Sequence, residues 1–215
     1  KIQTETVRLF NENAYALAER DANLRGLLKV DIGGGLFPRP GYLTIDQEDA
    51  DITCDLNEGI PLQDNSVGIL NASHIIEHLT EPMKFLQECK RVCKVKGKIY
   101  LEAPSERSLM IKSETKNFSV QTALNFYDDP THLGRPWTLM AFQRAGLYLG
   151  LEVESLGSYK SAVIGVLKPF LAPLARLIGK MKVHEFLVWY SVGWANYVIY
   201  RKEESDHIED LNYFI

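Results

Sequence analysis

Five histidines are present, and two of them bracket a glutamate in the run His74-Ile75-Ile76-Glu77-His78. Imidazoles four residues apart on a helix can share a zinc ion, with a glutamate between them as general base. Here the run follows the apolar stretch Ser66 to Ser73 directly, which puts His74 at the end of a strand, so no metal is expected. His132 stands in NFYDDPTHLGRPW, residues 125–137, beside Asp128 and Asp129. Either carboxylate could orient the imidazole and raise its pKa toward working pH. His132 is therefore the first choice for a general base acting on a hydroxyl, and His74 the second. A third concentration of chemistry lies upstream, where Asp31 is followed by Gly33, Gly34 and Gly35, and where Asp46 and Asp55 end the next two runs. Consecutive glycines clear side chains from a strand-to-loop turn and let a ligand approach the backbone. A later carboxylate can accept from two ribose hydroxyls, although the spacing is shorter than the roughly 20 residues of dinucleotide-binding folds.

The elements that must position these groups are legible in the apolar patterning. Leu27 to Ile32 and Tyr42 to Asp46 read as strands, Ala50 to Leu56 as a third, Ser66 to Ser73 as a fourth, and KGKIYLEAP at 96–104 as a fifth. Only Gly33 to Gly41 separate the first two, with Pro38 and Pro40 among them, too few for a crossover helix. Thr80 to Val95 reads as a helix capped by Thr80 and stopped by Gly97, and Thr138 to Ala145 as a short helix ending at Gly146. Leu149 to Leu156 and Ala195 to Arg201 read as the last two strands. The long polar connection at 105–136 is the expected rim of the site.

The order of these segments resembles that of the class I S-adenosylmethionine-dependent methyltransferases. The resemblance is carried by VDIGGG at 30–35, LTID at 43–46, CDLNEGIPLQDNSVGIL at 54–70, ASHIIEHL at 72–79 and KGKIYLEAPS at 96–105. It implies a doubly wound α/β domain with a mostly parallel seven-stranded Rossmann-like sheet and an antiparallel edge strand. It also implies S-adenosylmethionine as cofactor, with Asp31, Gly33 and Gly35 at its amino-acid end and Asp46 at the ribose. Asp55 and Leu56 would meet the adenine. Ser73 completes the cofactor set, and Glu77 and His78 would fix the loop beneath the methyl group. Two positions depart from the family pattern: Phe37 and Pro38 interrupt the glycine motif, and Gly68 replaces an acid on the fourth strand.

Composition narrows the function further. With 24 Lys and Arg against 28 Asp and Glu, the net charge is −4, which argues against a protein built to hold nucleic acid. The three cysteines, Cys54, Cys89 and Cys93, are odd in number and lack a disulfide pattern, so a reducing, cytoplasmic setting is expected. Cys89 and Cys93 are read as packing residues. The chain opens at Lys1 without a methionine or a secretory signal, and the reading expects the natural start to lie upstream. Residues 1–25 are expected to be a helical cover within a single domain spanning 1–215. Residues 158–192 form an apolar helical insertion whose core, 161–190, is interrupted by Lys168, Pro169, Pro173 and Arg176 and so does not span a membrane. It is expected to pack on the sheet, to form a homodimer surface or a lid, or to rest on a membrane periphery. The expected activity is methyl transfer to oxygen of a small-molecule, sugar or lipid-linked acceptor. The alternative is an inactive cofactor-binding or interaction module of the same fold.

Overall fold

A computed structural model describes residues 26–35, 38–113 and 125–204; the expected helical cover at 1–25 lies outside them. Seven strands form one sheet in the order β3-β2-β1-β4-β5-β7-β6. They are β1 (Leu28–Ile32), β2 (Leu43–Asp46), β3 (Ile52–Thr53), β4 (Val67–Ser73), β5 (Cys93–Pro104), β6 (Leu151–Ser158) and β7 (Ala195–Lys202). The first five run parallel, and β7 enters antiparallel between β5 and β6. From β1 the chain steps outward to β2 and β3, then returns to pair β4 on the other side of β1. That reversal opens a crevice at the carboxyl ends of β1 and β4, the place where open α/β sheets bind ligands.

Central strands are apolar on both faces because both are covered. Val30, Ile32, Val67, Leu70, Ile99 and Leu101 are fully buried, as expected of a parallel sheet interior. Helix α1 (Pro82–Val92) supplies Phe85, Leu86, Cys89 and Val92 to that core, at the i, i+1, i+4, i+7 spacing of one helical face. Its start differs from expectation. Thr80 does not cap it; the Thr80 N–H and hydroxyl both go to Asn57 Oδ1, at 3.0 and 2.8 Å, and Pro82 begins the helix, where its missing N–H costs nothing. Its end also comes sooner, because Cys93 already pairs with Val67 as the first residue of β5. Gly97 lies inside β5, five residues beyond the helix. Cys89 and Cys93 are free and buried, and burial lifts the Cys89 thiol well above its ordinary pKa and the Cys93 thiol to about 12.

Helix α2 (Leu139–Leu149) begins at Thr138, whose hydroxyl accepts the Ala141 N–H at 3.0 Å, and it runs through Gly146 to a left-handed Gly150. Gly146 is a packing residue: a Cβ there would meet the Tyr200 ring at 2.7 Å. The expected third strand contracts to two residues, leaving Asp55 in the turn that follows. The insertion folds as two helices, α3 (Ala162–Leu177) and α4 (Met181–Val192). Helix α4 buries Glu185, Leu187, Trp189 and Tyr190. Helix α3 buries only Ala172 and Ala175. No helix among the described residues is long and apolar enough to cross a membrane.

Candidate functional site

The residues expected to hold a cofactor collect at the carboxyl edge of β1, β2 and β4. Asp31, next to last in β1, is buried; its carboxylate accepts from Asn71 Nδ2 on β4 and from the Arg39 N–H at 2.8 Å. That second bond ties the glycine turn back onto the strand. Gly33 is left-handed, with φ +69, and donates its N–H to the Ile45 carbonyl at 2.8 Å. A Cβ there would meet Ile75 Cδ1 at 1.9 Å, so the Ile75 side chain would have to shift, and the left-handed φ itself favours glycine. Asp46 closes β2. Its Oδ2 accepts the Gly35 N–H at 3.0 Å and its Oδ1 the Gln47 N–H at 2.7 Å, which fixes a half-exposed carboxylate at the crevice edge. Asp55 accepts the Asn57 N–H at 2.9 Å, beside buried Leu56. Ser73 ends β4.

Sequence reasoning missed the polar cluster on the other side of β4. His74 has a positive φ of 57. Its Nδ1 meets Glu77 Oε1 at 3.0 Å and its Nε2 meets Glu102 Oε1 at 3.1 Å, while its ring stacks on Trp194 at 4.9 Å. Partial burial opposes a charge on the ring, but the two carboxylates outweigh it and raise its pKa to about 10. His74 is thus an imidazolium at neutral pH, with both nitrogens occupied. Glu102 in turn accepts from the Tyr100 hydroxyl at 2.7 Å, and Tyr100 bonds Tyr159. The signal that could have revealed this was Glu102 itself, an acid inside the apolar strand KIYLEAP. Pro104 and Trp194 carbonyls accept from Trp137 and Ser105 at 2.9 and 2.8 Å, closing β5, β7 and the 137 segment into one wall.

A third group forms where the long connection returns. His132 Nδ1 lies 2.6 Å from the Phe126 carbonyl, an acceptor only, so Nδ1 carries the proton and Nε2 keeps a lone pair. Neither flanking aspartate orients this ring as expected. Asp128 accepts from Ser113 Oγ and the Asn125 N–H, and Asp129 Oδ2 stands 3.9 Å from His132 Nε2. His78 Nδ1 faces the Thr131 hydroxyl at 3.0 Å and carbonyl at 3.3 Å. The Thr131 N–H and hydroxyl both go to Asp129 Oδ1. The His78 and His132 rings are 4.8 Å apart, and the Leu133 N–H donates to the Glu77 carbonyl at 3.0 Å. A cleft of about 800 Å³ lies between α1 and α2, lined by Glu77, Arg135, Trp137 and Arg144 but by none of the crevice aspartates.

Residues 14–101 match the family model described as "Methyltransferase domain". Over that segment, about two fifths of the chain, the sequence is similar to methyltransferases. The fold is similar to that of solved structures. One is a SAM-dependent methyltransferase from Archaeoglobus fulgidus, 20% identical, with TM-score 0.54 over 94% of this chain and 100% of that one. Another, from Mesorhizobium loti, is 13% identical, with TM-score 0.52 over 86% of this chain and 98% of the other. A phosphoethanolamine N-methyltransferase from Haemonchus contortus is 12% identical, with TM-score 0.50 over 83% of this chain and 49% of its own. No curated protein matches the chain. S-adenosylmethionine is the methyltransferase cofactor, and the crevice suits it: Asn71 Oδ1 is buried beside Asp31 with no partner among the described residues, an acceptor placed to receive an ammonium. Asp46 keeps lone pairs free for hydroxyls after its two backbone bonds.

Proposed function

We propose that this protein is an S-adenosylmethionine-dependent methyltransferase that transfers a methyl group to an acceptor hydroxyl on a small molecule, a sugar or a lipid-linked glycan. The observation that carries the reading is the Nε2 lone pair of His132, held by the Phe126 carbonyl in a ring whose side chain is only 8% exposed. Bound S-adenosylmethionine supplies an electrophilic methyl: the acceptor oxygen forms the O–C bond, the C–S electron pair stays on sulfur as a neutral thioether, and one proton leaves the hydroxyl. His132 Nε2 takes that proton. His74, already an imidazolium, cannot; it holds Glu77 and Glu102 in place. The wall of Tyr100, Tyr159, Trp194 and the 137 segment excludes water and positions the acceptor, an effect that can contribute about 7 to 11 kcal/mol. A positioned base adds about 10² to 10⁴ in rate.

The exposed face of α3 extends the reading to location. Val163, Val166, Phe170, Leu174 and Leu177 are exposed on it, and Arg176, Lys180 and Lys182 are exposed at and just beyond its end. Apolar and cationic groups together favour the surface of an anionic membrane, where a lipid-linked acceptor would be met.

The test is turnover of S-adenosylmethionine to S-adenosylhomocysteine with a panel of hydroxyl and amine acceptors. We expect turnover on hydroxyls, and a fall of about 10² or more in His132→Ala with cofactor affinity intact. Equal activity of the variant removes His132 from the mechanism. No turnover on any acceptor, with cofactor bound, supports the binding-module alternative.

A further inference from the structure

We propose that Glu77, His78 and His132 form a binding site for a divalent transition-metal ion. One ligand atom from each lies within 4.8 Å of the other two, and small side-chain rotations would bring all three to the roughly 2.0 to 2.2 Å distances of zinc-type coordination. This departs from the expectation of no metal, and from the His74 to His78 pairing weighed in the sequence, because His74 is consumed by two carboxylates.

The protonation pattern is that of a ligand set. The Phe126 carbonyl takes the His132 Nδ1 proton. The Thr131 hydroxyl donates to Asp129 Oδ1 at 2.6 Å, so it and the Thr131 carbonyl both act as acceptors toward His78, whose Nδ1 must also be the protonated nitrogen. Both rings therefore keep their lone pairs on Nε2. Metal-binding histidines are oriented this way, by giving the other N–H to a carbonyl or carboxylate. The third donor is independently marked: Glu77 is 1% exposed, and its Oε2 has no hydrogen-bond partner among the described residues. An unpartnered buried carboxylate oxygen is costly, and a cation beside it would remove the cost.

The frame is built before any ion arrives. Glu77 and His78 lie on one 3-10 turn, Ile76–His78, and the Leu133 N–H bond to the Glu77 carbonyl pins the His132 segment against it. The charged groups around the site are His74, Glu102 and Asp129, with Arg135 and Arg144 in the cleft that Glu77 also lines. Two imidazoles and one carboxylate suit Zn²⁺, Co²⁺, Mn²⁺ or Fe²⁺ over Mg²⁺, which prefers an all-oxygen shell. Three protein ligands leave positions open; with His132 Nε2 on the metal that nitrogen no longer serves as the base, and an acceptor hydroxyl bound at an open position would lose its proton near neutral pH. That last step rests on the proposed hydroxyl acceptor; occupancy of the site does not.

Metal-stripped protein titrated with Co²⁺ reports both affinity and geometry through its visible d–d bands, and dialysis against Zn²⁺ reports stoichiometry. The expected result is one equivalent bound, with the bands abolished in H78A and H132A and affinity weakened in Glu77→Gln, which retains a hydrogen-bonding group toward His74. Binding of S-adenosylhomocysteine by each variant shows that it is folded. No Co²⁺ bands in the parent, or bands undiminished in the histidine variants, overturns the site. If metal binding fails while His132→Ala still slows turnover, the base reading stands alone. If metal binds and no hydroxyl acceptor is methylated, the site stands and the acceptor reading falls.

Discussion

At the residue scale, His74 shows how one side chain can look catalytic and act as a keystone. Its ring lies between two carboxylates that are themselves 1% and 3% exposed. Removing one partner of such a cluster leaves uncompensated buried charge, a loss of several kcal/mol when all members are buried. Because the His74 side chain is 30% exposed, the effect is discounted for solvent. His74→Ala should cost about 2 to 3 kcal/mol, and thermal unfolding should fall by about 4 to 10 °C in a domain of this size. Adding Glu102→Gln, which removes one of the stranded charges, should recover part of the loss. Unchanged unfolding in His74→Ala would show that the cluster holds nothing. The same residue explains a missed assignment: in sequence, His74 at a strand end and His132 in the long connection are both candidate bases, and only their partners separate a fixed cation from a lone-pair donor.

At the element scale, α1 and α3 make opposite use of their side chains. Helix α1 is fastened to the 60–64 loop through Arg91, which donates to the Ile60 and Leu62 carbonyls at 2.7 and 2.9 Å, and through Glu88, which accepts the Ile60 N–H at 3.0 Å and two Arg91 N–H groups at 2.7 Å. The Arg91 hydrogen bonds hold the Glu88 pKa below its ordinary 4.5. A depressed carboxylate pKa contributes stability above the unfolded value and loses it as pH falls through the folded one. Glu88→Gln should therefore unfold at a lower temperature than the parent at pH 7, with the gap closing as pH drops below about 4.5 and both forms become neutral. A gap independent of pH would assign the effect to packing. Helix α3, by contrast, buries little, and its Leu174 and Leu177 are 52% and 83% exposed. Replacing both with Ser should leave unfolding within about 0.5 kcal/mol of the parent while lowering partition onto phosphatidylserine vesicles by tenfold or more, since each buried leucine is worth about 1.5 to 3 kcal/mol. Loss of several degrees with unaltered partition would make α3 a core element instead.

At the scale of the whole molecule, the reversal of strand order at β1 and β4 gathers groups that are distant in the chain: Asp31, Asp46 and Asp55 on one side, His74, Glu102 and Trp194 on the other. Cofactor binding should then stabilise the fold as a unit. At about 100 times its dissociation constant, S-adenosylhomocysteine should add about 2.7 kcal/mol and raise the unfolding temperature by about 5 to 10 °C. In Asp46→Ala that rise should shrink, because a hydrogen bond to a charged group is worth about 1.5 to 3 kcal/mol. Calorimetry showing equal affinity for the variant would remove Asp46 from the ribose site.

What the amino-acid order determined was the frame: the β1 to β5 order, the glycine turn and the crevice acids, all of them local patterns of apolar period and turn residue. Boundaries were less legible. Thr80 looked like a cap until Asn57 claimed it from 23 residues away, and Gly146 looked like a stop until Tyr200 packed over it. Only tertiary structure decided the chemistry of the histidines. A ring's protonation depends on which acceptor meets each nitrogen, and those acceptors, Glu102 for His74, Phe126 for His132 and Thr131 for His78, come from segments 28, 6 and 53 residues away. No periodicity records such meetings, because they are set by the path of the sheet and the loops above it.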